Sequence, residues 1–175
     1  VGDALGRMHV ACNGYRARLA NRRGATWRRQ AARAVRPFLD PSQNDVLAAE
    51  LAYQSRFNQL TLPRGAIHGD LFCDNVLFVG ERVSGIIDFG FAATDFLAYD
   101  LAITVNDWCL TPARTLDRER ARALLEGYRE LRPFTTVERM ALANSSIWLR
   151  TEATESRTRS ASTRTSPATT ANRRP

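Results

Sequence analysis

The chain has 175 residues, 44% of them hydrophobic, which is enough for one ordinary domain with a real core and too apolar for disorder throughout. All 25 basic residues are arginine, and the net charge of +7 is concentrated in residues 16–36, where Arg16, Arg18, Arg22, Arg23, Arg28, Arg29, Arg33 and Arg36 occur without an acid; with Trp27 the only ring near its middle, this stretch reads as a solvated basic face and makes nucleic acid an unlikely partner. No run approaches the ~20 apolar residues of a membrane span, and Cys12, Cys73 and Cys109 have neither metal-ligand nor disulfide-framework spacing, which suits a reducing cytoplasm.

In chain order, Ala4, Leu5, Met8, Ala11, Cys12, Tyr15 and Leu19 follow helical spacing, with Asp3 as the expected N-cap and Gly24 interrupting the pattern. His9 reads as a partly exposed residue of this helix with no evident partner. Pro37 and Pro41 bracket a turn, after which Asp40 or Ser42 caps a second helix through Val46, Leu47, Leu51, Tyr53 and Phe57. Pro63 and Gly65 turn the chain into a short strand at Ala66–Ile67. Val76–Val79 and Val83–Ile87 then flank a polar turn at Gly80-Glu81-Arg82, a β-hairpin signal.

Phe91–Asp95 reads as a loop. Tyr99-Asp100-Leu101-Ala102 opens an apolar helix with Ile103, Val105 and Trp108 packing inward, stopped by Pro112. Asp117 starts a helix through Ala121, Leu124, Leu125, Tyr128 and Leu131, and Thr135–Glu138 offers a capping box for a short helix through Met140, Leu142 and Ile147. Residues 151–175 contain no Leu, Ile, Val, Phe, Met, Trp or Tyr, so this Thr/Ser/Arg-rich segment is expected to be a disordered tail. The domain organisation is therefore one folded unit over residues 1–150, its hairpin covered on one face by the helices from Asp3, Ser42 and Ala98, followed by the tail over 151–175.

The polar groups around the hairpin carry the chemistry. Asp70 and Asn75 precede its first strand and Asp88 ends its second, so antiparallel pairing should bring all three to one edge. Phosphoryl transfer needs that set: one carboxylate orients the attacking hydroxyl and accepts its proton, while an oxygen ligand and a second carboxylate hold Mg²⁺ on the nucleotide phosphates. Cys73 sits in the same loop, but a nucleophilic thiol needs a base, and His68 is more simply a loop brace.

Asp-x₄-Asn followed after a hairpin by Asp88-Phe89-Gly90 resembles the catalytic loop and metal-binding turn of kinases. The His68-Gly69-Asp70 opening is similar to the aminoglycoside phosphotransferase and choline kinase branch. The wider runs Leu62–Phe72, Asp74–Phe78 and Tyr99–Cys109 resemble the homoserine kinases of that fold. The resemblance covers about residues 1–140. It implies an α+β, protein-kinase-like C-terminal lobe, mostly helical with a catalytic β-hairpin, and ATP- and Mg²⁺-dependent phosphorylation of the homoserine hydroxyl in threonine biosynthesis. It further implies Asp70 as catalytic base, Asn75 and Asp88 as metal ligands, His68 and Asp100 as supports of the catalytic loop, and Asn106 and Asp107 on the acceptor side.

Two departures stand out: Cys73 lies where the family has Arg, and Gly90 where it commonly has Tyr. The sequence also contains no glycine-rich phosphate loop, strand Lys or partner Glu, so its cofactor-binding residues beyond the metal ligands are unassigned. The expectation is an inactive partial kinase, and a shift of reading frame is the expected origin of the tail. Other acceptors of the same fold (aminoglycoside, choline) and a non-catalytic basic binding module are the alternatives. Asp95, Asp107 and Asp117 form no evident acidic cluster for an aminoglycoside.

Overall fold

A computed structural model describes residues 1–56 and 60–143. Among them lie six α-helices and four short strands: α1 (Gly2–Ala11), α2 (Ala25–Val35), α3 (Pro41–Ser55), β1 (Arg64–Ile67), β2 (Val76–Val79), β3 (Arg82–Ile86), β4 (Ala93–Phe96), α4 (Leu97–Trp108), α5 (Arg118–Leu131) and α6 (Thr136–Ala143). The fold is helix-rich with two small antiparallel sheets, β1 with β4 and β2 with β3. The expected tail, and the ends of the expected helices at Phe57 and Ile147, lie outside the described residues.

Local chemistry places most helix ends. Asp40 caps α3 in a reciprocal capping box with Gln43. Asp117 accepts from the Glu119 and Arg120 amides at the start of α5. At α6, Thr135 Oγ1 accepts from the Glu138 amide while Glu138 accepts from the Thr135 amide, as the sequence motif predicts. The β2–β3 hairpin pairs Val76 with Ile86 and Val79 with Arg82, and Gly80 turns it at a positive φ of 60°.

The main core is built from Leu5, Leu71, Val76, Leu101, Val105, Cys109, Leu116, Ala121, Leu124 and Tyr128. Ala121, Leu124 and Tyr128 recur at helical spacing along one stripe of α5, which buries it against α1 and α4. Helices α1 and α5 approach closely because small residues line the crossing: a Cβ at Gly2 would overlap the Leu124 carbonyl oxygen, and one at Gly6 would stand 3.1 Å from the Tyr128 carbonyl.

Several expectations are corrected. Helix α1 begins two residues earlier, with Val1 at the N-cap and Asp3 in the first turn, and it stops at Ala11, leaving Tyr15 and Leu19 exposed. His9 is buried, at 4% exposure. Residues 25–35 of the arginine-rich stretch form a helix that was not expected; Ala32 is its buried residue, and the charged side chains obscure the apolar period. Helix α3 buries none of its residues, so the hairpin is backed by α1 and α4 without it. Residues 93–96 are strand β4 rather than loop, because β1 supplies an antiparallel partner from Arg64↔Phe96 to Ile67↔Ala93. In α4 the inward face is Leu101, Thr104 and Val105, and Ile103 is only half-buried.

Candidate functional site

The segment from His68 to Asn75 joins β1 to β2 and is fixed at every turn. Gly69 has φ +78°, and a Cβ there would lie 2.6 Å from the Phe91 carbonyl oxygen, so only glycine fits. His68 is fully buried; its Nε2 is 2.8 Å from the Ile87 carbonyl and its Nδ1 accepts from the Asp70 amide at 3.3 Å. Those partners make Nε2 the protonated nitrogen of a neutral ring. His68 thus ties the loop to the end of β3. Trp108 Nε1 donates to the Leu71 carbonyl at 3.1 Å, and the Cys73 amide donates to Asp107 Oδ2 at 2.7 Å, so the end of α4 holds the loop's far side.

Asp100, fully buried in the first turn of α4, accepts three hydrogen bonds: from the His68 amide at 2.8 Å, the Gly69 amide at 2.7 Å and His9 Nε2 at 3.0 Å. A buried carboxylate is tolerated only when so satisfied. The chain of contacts continues outward: His9 Nδ1 meets the Tyr128 hydroxyl at 2.8 Å, and Arg132 Nη1 donates to that hydroxyl at 3.2 Å and to Glu138 at 2.8 Å. Burial, above all, pushes the Tyr128 hydroxyl up to about 12, so it keeps its proton. A polar relay therefore runs from the cap of α6 to the backbone of the His68–Asp70 loop.

Asn75 and Asp88 stand at the open end of the hairpin. The Ile87 amide donates to the Asn75 carbonyl at 3.0 Å, so backbone pairing extends to the residue before Asp88. Asn75 Nδ2 donates to the Asp70 carbonyl at 2.7 Å, leaving Oδ1 as its acceptor end. Asp88 adopts a left-handed conformation (φ 59°, ψ 64°) with Oδ1 accepting from the Gly90 amide at 3.2 Å. Non-glycine residues take this conformation at an energetic cost, and Asp bears it better than most.

Asp70 is nearly buried, and its Oδ1 accepts from Arg23 Nη1 at 2.8 Å. Arg23 stacks on the Phe91 ring at 3.5 Å. It reaches this position because residues 19–23 run along β4: the Thr94 amide donates to the Leu19 carbonyl at 2.7 Å, and Asn21 Nδ2 donates to Asp95 at 2.8 Å. Arg23, Asp70, Tyr99, Ile103, Asn106 and Asp107 are among the residues lining a cavity of about 280 Å³.

The profile of the phosphotransferase enzyme family matches residues 1–134. The chain belongs to this family. Among curated relatives it is 47% identical over 141 residues to the homoserine kinase of Methylobacillus flagellatus, covering 81% of this chain and 44% of that protein. It is 43% identical over 146 residues to that of a Janthinobacterium species (81% and 45%) and 46% identical over 146 residues to that of Rhodopseudomonas palustris strain CGA009 (81% and 45%). The chain thus spans under half the length of the curated relatives it matches. Among solved structures, an aminoglycoside-3'-phosphotransferase of type VIII matches with a TM-score of 0.52 at 24% identity, over 80% of this chain and 56% of that one. A choline/ethanolamine kinase family protein from Mesorhizobium loti matches with a TM-score of 0.50 at 18% identity, over 95% of this chain and 61% of that one. These two similarities show the fold.

In this member of the family, the residues singled out in the sequence lie in or beside one region. Asp70, Asn106 and Asp107 line the cavity, His68 and Asp100 support its floor, and Asn75 and Asp88 stand at the adjoining hairpin end. Asp95 and Asp117 are elsewhere, engaged with Arg64 and Asn21 and with the α5 cap, so no acidic cluster forms with Asp107. The setting of Cys73 disfavours its thiolate: partial desolvation first, then the Asp107 and Asp74 carboxylates, push its thiol up to about 11. Two residues were missed. His9 carries no local signal, because its partner Tyr128 is 119 residues away. Arg23 lay hidden among the eight arginines of residues 16–36; Arg16, Arg18, Arg22, Arg29, Arg33 and Arg36 are indeed exposed.

Proposed function

We propose that the chain is the kinase-like C-terminal lobe of an ATP-dependent homoserine kinase, the part that carries the catalytic base and the metal ligands, and that it serves threonine biosynthesis in the cytoplasm. The observation that carries the reading is the placement of Asp70 on a braced loop, facing a small cavity also lined by Asn106 and Asp107. At about 280 Å³ the cavity lies just below the ~300–1,000 Å³ typical of drug-sized ligands, a size that suits a small acceptor. The homoserine kinase relatives point to the same acceptor.

On this reading Asp70 orients the acceptor hydroxyl and takes its proton. Asn106 and Asp107 face the acceptor's ammonium group. Asn75 through Oδ1 and Asp88 through its carboxylate would hold Mg²⁺; both are hard oxygen donors, and a site with one or two protein ligands suits an ion otherwise held by water and phosphate. When bound, Mg·ATP supplies the phosphoryl group and neutralises its developing charge. Asp100 and His68 contribute by fixing the loop backbone, so that Asp70 needs little reorganisation when the acceptor arrives.

Residues 1–175 alone are expected not to turn over ATP, since no segment among the described residues offers a phosphate-covering loop and positioning can be worth roughly 7–11 kcal/mol of barrier. ADP release from the chain with homoserine at the ~1–100 s⁻¹ of working kinases would overturn that part. The acceptor is tested by a chimaera in which this chain replaces the matching half of the Methylobacillus flagellatus homoserine kinase. It should phosphorylate homoserine in preference to choline or kanamycin, and Asp70→Asn should lower kcat by ~10²–10⁴ with nucleotide affinity kept. Preference for choline or kanamycin would sink the homoserine assignment.

A further inference from the structure

We propose that Arg23 is the specificity residue that reads the acceptor's carboxylate, and that its ion pair with Asp70 is a resting contact which the acceptor exchanges. The inference rests on the homoserine reading above and adds to it the group that would recognise the acid end of the substrate. Three observations carry it.

First, Arg23 Nη1 sits on Asp70 Oδ1 at 2.8 Å, one of the two oxygens that could receive an incoming hydroxyl. The ion pair occupies that oxygen for as long as it lasts. An acceptor that brings its own carboxylate does two things at once: it offers the guanidinium an alternative anion and frees the Asp70 oxygen for the hydroxyl. A guanidinium has five N–H donors in a planar fork, and a carboxylate fits two of them side by side.

Second, Arg23 is held independently of Asp70. Its guanidinium lies over the Phe91 face at 3.5 Å, and its backbone amide donates to Asn21 Oδ1 at 2.8 Å in a segment clamped to β4 by Asp95 and Thr94. Exchanging one anion for another therefore leaves the guanidinium in place, with its side chain 38% exposed and so reachable by solute. A purely structural ion pair has no need of this second anchorage.

Third, the cavity has opposite charges in its lining. Arg23 supplies a cation, whereas Asp107, with Asn106 beside it, supplies an anion and an amide. That distribution is complementary to a zwitterion carrying a carboxylate, an ammonium and a hydroxyl, and mismatched to a quaternary ammonium alcohol or a polyamine, which bring no anion for Arg23.

The test is calorimetric binding to residues 1–175, which requires no turnover. The probes are homoserine, homoserinol (the carboxylate reduced to an alcohol), 4-hydroxybutyrate (the ammonium removed) and Mg·ADP. The wild type should bind homoserine about tenfold or more tighter than homoserinol, a charged hydrogen-bond pair being at stake. Arg23→Gln should erase that preference, weakening homoserine while leaving homoserinol unchanged. Arg23→Lys keeps the charge without the fork and should fall between the two; it also serves if the Gln variant loses its fold by circular dichroism. Equal binding of homoserine by wild type and variant, or equal loss for homoserine and homoserinol, overturns the proposal. So does loss of Mg·ADP binding with homoserine binding intact, which would make Arg23 a phosphate ligand. If the wild type ignores homoserine yet binds 4-hydroxybutyrate in an Arg23-dependent way, the carboxylate role stands and the homoserine reading fails. A wild type that binds neither acid ends both.

Discussion

Asp100→Asn isolates what holds the loop beneath the candidate site, because it preserves shape and removes one acceptor and the charge. Asp100 serves three donors with two oxygens: Gly69 N–H on Oδ1, and His68 N–H together with His9 Nε2 on Oδ2. An asparagine must turn its NH₂ group toward one of these sets. If the amide oxygen takes the Oδ2 place, the Gly69 N–H faces another donor; in the opposite orientation two donors are orphaned. The better case therefore leaves one buried donor unsatisfied, costing about 1–3 kcal/mol. It also converts two charge-assisted bonds into neutral ones, at about 1 kcal/mol each. Relief of burying a carboxylate returns part of this. The expected net loss is about 2–4 kcal/mol, a large share of the roughly 5–15 kcal/mol that keeps a domain folded. Equilibrium urea unfolding should show a lower midpoint with the slope kept. Amide exchange should accelerate first at His68 and Gly69, ahead of the α5 core, because the defect is local. A variant within about 0.5 kcal/mol of wild type, with Gly69 exchange unchanged, would refute the claim that Asp100 braces this loop.

Two further outcomes check other parts of the structure. Gly2→Ala should destabilise the chain by about 1–3 kcal/mol, since the new methyl overlaps the Leu124 carbonyl where α1 crosses α5; a helix free of that contact would instead gain up to about 1 kcal/mol, so the sign of the shift in the urea midpoint decides. Cys73, with its thiol raised to about 11 against an ordinary 9.0, should alkylate with iodoacetamide about a hundredfold more slowly than an unperturbed thiol at pH 8, and the rate should climb tenfold per pH unit until about pH 11, because only the thiolate attacks. Mass mapping of the modified peptide separates it from Cys12 and the buried Cys109, and a rate that turns over at about pH 9 would show the thiol to be unperturbed.

What the sequence determined by itself was whatever depends on near neighbours. The hairpin over 76–86 followed from two β-branched runs and a glycine turn, and the caps at Asp117 and Thr135 from side chains that reach amides two or three residues on, while the α3 cap was narrowed to Asp40 or Ser42 and the structure chose Asp40. Asp100 was legible as a support only through resemblance; nothing in its own helix turn demands a partner at His68. Tertiary structure decided the rest. His9 reads locally as a surface residue of α1, and only the approach of Tyr128 and Asp100, 119 and 91 residues away, makes its burial favourable. Strand β4 exists because β1 presents an edge to it, not because Ala93–Phe96 is strongly β-forming. Arg23 is one cation among many until β4 pins its segment against Phe91 and delivers its guanidinium to Asp70. A side chain's polarity is written in the sequence, but whether that polarity is spent on water or on a buried carboxylate is settled by which distant segments pack around it.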